Sequence, residues 1–77
     1  MRIFIGNLSK MTTARQLADL FHPFGEVLTS KIVKNESTGH SMGFGFIEMA
    51  SQFGIPAIRK LNSRLFMNSY MEVTEAL

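Results

Sequence analysis

The sequence predicts an α+β fold of order βαββαβ, a four-stranded antiparallel sheet carrying two helices on one face. Three observations predict it. Stretches with strand and helix periodicity alternate in that order, turn formers separate them, and a chain of 77 residues has room for one small core only.

The elements follow in order. RIFIG (2 to 6) is short, β-branched and aromatic and closes at the turn formers Gly6-Asn7, which makes it a strand. Thr13 and Gln16 fit a capping box, and Leu17, Leu20, Phe21 and Phe24 then recur at helical spacing until Pro23 and Gly25 end the helix, expected over about 14–22. Glu26 to Val33 is again β-branched and apolar. The polar run KNESTGHS (34 to 41), with its Thr-Gly turn, joins it to MGFGFIEM (42 to 49) as an antiparallel hairpin. A second helix runs through Ala57, Ile58 and Leu61. It either begins near Ile55, with Pro56 in its first turn, or has a kinked start. Beyond the turn residues Asn62 and Asn68, YMEVT (70 to 74) alternates as a half-buried fourth strand. With no internal linker, residues 1–77 read as a single domain.

Composition narrows the function classes. Eight Lys plus Arg against six Asp plus Glu give a net charge of +2, which permits a polyanionic partner without demanding one. The absence of cysteine removes disulfides and thiol nucleophiles, and two histidines are too few for a metal cluster, so no metal or cofactor is expected. No apolar run approaches the roughly 18 residues of a transmembrane helix. MRIFIGNL lacks the order of a signal peptide, so a cytoplasmic location is the expectation.

Right-handed crossovers place both helices of a split βαβ sheet on the same face and leave the other bare. In the third strand Gly43, Gly45, Ile47 and Met49 point one way and Met42, Phe44, Phe46 and Glu48 the other. The first strand decides which set is covered: Ile3 and Ile5 are a natural core pair, whereas Arg2 opposite them is poorly placed in so small a core. Phe4, Phe44 and Phe46 are therefore expected on the uncovered face. They are neighbours if the strands run 4-1-3-2, the usual order of this ferredoxin-like arrangement. A bare patch of three rings marks a binding surface. Flat rings on a pleated sheet, with a few cations nearby, suit unpaired nucleobases, which stack for about 1–3 kcal/mol each.

IFIGNL (3 to 8) and MGFGFIEM (42 to 49) resemble the hexamer and octamer of the RNA recognition motif family, in the right order and at about the right distance. LADLFHPFGEV (17 to 27), STGHSMGFGF (37 to 46) and AIRKLN (57 to 62) extend the resemblance along almost the whole chain, which is similar to the short, single-domain bacterial members. The resemblance implies a single-stranded RNA-binding domain that is not an enzyme, with single-stranded DNA an open alternative. It implies that Phe4 and either Phe44 or Phe46 stack on successive bases, the remaining ring packing against a ribose, and that Asn7 is structural. Arg2, Lys31, Tyr70 and Thr74 are expected to border the same face by alternation, with Glu48 and Glu72 also on it.

The octamer opens with Met42 where the family has Arg or Lys, so one phosphate clamp is missing. Alternation places Met42 beside Phe44, as a further contact for the RNA. Met49, where the family has an aromatic residue, is a soft core filler. Binding by the domain alone, as a monomer, is expected to be weak. Two other function classes stay open. In one, the aromatic face binds protein or self-associates. The other is a small phosphatase, for which NLSKMTT (7 to 13) offers one lysine and no arginine, and for which His22 and His40 find no partner.

Overall fold

The computed structural model describes all 77 residues. Its elements are β1 (Arg2–Gly6), α1 (Ala14–Phe21), β2 (Val27–Lys34), β3 (Ser41–Met49), α2 (Ser51–Leu61), β4 (Leu65–Phe66), β5 (Ser69–Tyr70) and β6 (Glu72–Glu75). The main sheet is antiparallel with order β2-β3-β1-β6, and β4 with β5 forms a separate two-stranded ribbon. This is the ferredoxin-like order expected, with β6 as its fourth strand.

Both helices lie on one face, and the core between them and the sheet follows from alternation. Ile3 and Ile5 of β1, Ile47 and Met49 of β3, and Val73 of β6 are buried, and Leu17 and Phe21 of α1 with Ala57 and Leu61 of α2 close over them. Met49 is fully buried, as a soft side chain filling an aromatic position can be. The capping box forms as the spacing predicts. The Thr13 hydroxyl accepts from the Gln16 amide (3.1 Å), and the Gln16 side chain accepts from the Thr13 amide (2.9 Å). The helix closes one residue before the expected end, because Pro23 opens a 3-10 turn over His22–Phe24.

Four boundaries or local features differ from the sequence reading. The β2 strand runs one residue later than expected. In β3 the ladder to β2 shifts between the pairs Ile32↔Gly45 and Lys34↔Ser41, where Gly43 adopts φ +81°. This bulge interrupts the period of two just ahead of Phe44, so alternation does not carry through to Met42. The α2 helix starts at Ser51, well before Ile55, so Pro56 stands in its second turn and deprives the Gln52 carbonyl of its helical donor. Finally, the expected fourth strand is split: Tyr70 pairs with Leu65 in the β4–β5 ribbon, and the sheet strand begins at Glu72. Met67 and Asn68 turn that ribbon with φ of +49° and +68°, the paired left-handed geometry of a two-residue hairpin.

Gly45 has a packing reason. A Cβ there would run into the Lys31 carbonyl oxygen and come within 3.1 Å of Ile32 Cδ1, so only glycine lets β2 lie this close.

Candidate nucleic-acid interface

The uncovered face of the sheet carries a row of side chains that crosses all four strands. Directly paired residues of an antiparallel ladder share a face, and Lys31 pairs with Phe46, Phe46 with Phe4, and Phe4 with Thr74. A second, parallel row runs Thr29, Glu48, Arg2. Burial agrees with this assignment of faces: the flanking Ile3, Ile5, Gly45 and Ile47 are buried, while Phe4, Phe44 and Phe46 are half-buried.

The three rings form one cluster. Phe4 lies 5.8 Å from Phe44 and 5.8 Å from Phe46 between centroids, and Phe44 lies 6.2 Å from Phe46 at an interplanar angle of 88°. Tilted and edge-on contacts of this kind hold rings in place for about 0.5–1.5 kcal/mol each, so the patch is ordered before any ligand arrives. Gly6 is part of the arrangement, since a Cβ there would come within 2.7 Å of the Phe4 ring.

The charges around the rings are of both signs. The Arg2 guanidinium lies over the Phe46 ring, 4.1 Å from its centroid. Lys31 stands beyond Phe46 on the outer strand and is exposed. The Glu48 carboxylate accepts a hydrogen bond from the Thr29 hydroxyl (2.8 Å), and Glu72 pairs with Gly6. The patch can therefore offer flat apolar faces, two cations for phosphate, and carboxylates for exocyclic amines.

Of the residues singled out from the sequence, Phe4, Phe44, Phe46, Arg2, Lys31 and Thr74 come together here. Tyr70 does not join the row, since it lies in the ribbon outside the main sheet, exposed, with its carbonyl accepting from Asn7 Nδ2 (2.7 Å). That contact gives Asn7 the structural part expected of it and holds the ribbon against the end of β1. Met42 is exposed at the loop end of β3, beyond the Gly43 bulge. Sequence reasoning missed the ribbon because its turn is Met67-Asn68, whereas the strong signals for such a turn are Asn-Gly and Asp-Gly.

A βαββαβ sandwich with an aromatic cluster on the bare side of its sheet defines a class of small sheet-surface binding domains. The family model for the RNA recognition motif matches residues 3–72, and the chain belongs to that family. It is 38% identical over 76 residues to the glycine-rich RNA-binding protein RZ1C of Arabidopsis thaliana, covering 97% of this chain and 24% of that protein. Among solved structures, the crystal structure of RNA binding protein PG1 superposes with a TM-score of 0.98 at 33% identity, covering 100% of this chain and 94% of that one. The Sxl-lethal protein/RNA complex superposes with a TM-score of 0.92 at 28% identity, covering 99% of this chain and 46% of that one. The chain spans less than half the length of the Arabidopsis relative, and that plant match gives no support to the bacterial subtype.

Proposed function

We propose that this domain binds single-stranded RNA on the bare face of its sheet, bases stacking on the cluster of Phe4, Phe44 and Phe46. The observation that carries this reading is the row Lys31, Phe46, Phe4, Thr74, which sets aromatic faces beside a cation across the full width of the sheet. Membership of the RNA recognition motif family supports it, as do the RNA-binding relative and the RNA-bound structural neighbour. Arg2 and Lys31 contact phosphate or base edges, while Tyr70 and Met42, both exposed and off the row, are accessory contacts in the same proposal. No step of chemistry is assigned to any residue, and a cytoplasmic, monomeric setting belongs to the same proposal.

Titration of a fluorescent mixed-sequence RNA pool tests the reading. Replacing Phe44 and Phe46 together by alanine should abolish measurable binding and leave the circular dichroism of a folded domain. Each single replacement should cost about 1–3 kcal/mol of binding. A folded double variant that binds RNA as well as the parent would overturn the stacking role. Concentration-dependent dimerisation without RNA binding would turn the face into a protein-binding surface. A DNA pool of matched sequence measures what the 2′-hydroxyls contribute.

A further inference from the structure

Beyond the open edge of β2 lies a half-open groove of about 790 Å³, walled by the β1–α1 connection, the start of α1, β2 itself and the β2–β3 loop. Lys10, Lys31, Lys34 and His40 line it, and neither Asp nor Glu does. Three of the chain's eight Lys and Arg residues thus border one concavity, in a protein whose net charge is only +2. The Ser30 hydroxyl in the groove donates to the Ala14 carbonyl (2.7 Å), whereas the Thr13 hydroxyl accepts from the Gln16 amide and keeps its own proton, so the cations on the rim, with Thr13 as a further donor, are the groups left to meet an anionic ligand.

Lys31 belongs both to this groove and to the aromatic face, where it pairs with Phe46. We infer that the groove is a phosphate track: an RNA strand leaving the rings passes Lys31, crosses the β2 edge and lays its next phosphates between Lys10 and Lys34. The inference rests on the RNA-binding reading above and lengthens its footprint past the sheet. The occupant is a phosphodiester chain because the groove supplies cations and is continuous with the stacking surface. An isolated phosphate would share that chemistry and lack that continuity.

The test compares a tetranucleotide with an octanucleotide of oligo(U), on the parent protein and on a Lys10→Ala, Lys34→Ala double variant, across salt concentrations. Both lysines are exposed, so the variant keeps its fold. Two extra phosphates should make the salt slope of the octanucleotide steeper by about 1.4, so its advantage should shrink about sevenfold between about 50 and 200 mM salt. The double variant should lose that extra slope and bind the tetranucleotide as the parent does. An Arg59→Ala, Lys60→Ala variant, which removes equal charge from the exposed face of α2, should keep it. Equal losses in both variants, or an octanucleotide with no extra slope on the parent, would overturn the track and leave the stacking reading standing. A parent that binds neither oligonucleotide would overturn both. Amide shifts of Lys10, Lys34 and His40 on adding inorganic phosphate, with none on adding the octanucleotide, would make the groove a small-anion site instead.

Discussion

The guanidinium of Arg2 stacks on the ring of Phe46, 4.1 Å from its centroid, although the two residues sit on different strands. The register explains it: Arg2 pairs with Glu48, two residues along β3 from Phe46, so the two side chains are diagonal neighbours on the open face. A base approaching Phe46 meets a ring already in contact with a cation. Arg2 must then either move to a phosphate or stay as part of the platform.

Arg2 and Phe46 should therefore be coupled in RNA binding. In a double-mutant cycle, Arg2→Ala and Phe46→Ala should be non-additive by about 0.5 kcal/mol or more, read from RNA affinities at fixed salt. Arg2→Ala alone should flatten the salt slope by about 0.7 if the guanidinium moves to a phosphate. Additive losses would mean that the two side chains serve separate parts of the ligand.

Asn7 holds a left-handed backbone (φ +55°) and ties β1 to the ribbon through the Tyr70 carbonyl. Asn7→Ala should lower stability by about 1–2 kcal/mol, combining backbone strain with the lost hydrogen bond. Asn7→Gly relieves the strain and should recover part of that loss. Chemical denaturation of the two variants separates the contributions, and equal losses would assign the whole effect to the side chain.

Gly45 is closed to any side chain by the Lys31 carbonyl. Gly45→Ala should cost about 1–3 kcal/mol by pushing β2 from β3, and should weaken RNA binding through the displaced Lys31–Phe46 pair. A variant of unchanged melting temperature would show that the strands can separate there without penalty.

Pro56 is exposed in the second turn of α2, where proline costs up to about 3 kcal/mol against alanine. The stiffer unfolded chain returns only about 0.4–1 kcal/mol of this. Pro56→Ala should thus raise the melting temperature, by about 4–8 °C for each kcal/mol gained in a domain of this size. A fall would mean that the helix is already shaped around the proline ring.

Most of the site can be read before folding because its causes are local. Alternation separates Ile3 and Ile5 from Phe4, and Ile47 from Phe46, and two helices on right-handed crossovers cover only one of those faces. The capping box at Thr13 and Gln16 is local too, since both its hydrogen bonds span three residues. The features that eluded the sequence depend on distant partners. Tyr70 leaves the last strand because Ser63 and Arg64 bond with Met71 and Asn7 reaches the Tyr70 carbonyl, contacts that alternation within YMEVT cannot register. Met42 escapes the pattern because Gly43 turns left-handed where its carbonyl accepts from the Leu8 amide, a bond made only once β1 and β3 have docked. The groove brings Lys10 to Lys34 across 24 positions of sequence, and no period connects them. Side-chain periodicity assigns faces within an element. The closure of loops around the β2 edge decides which faces become one surface.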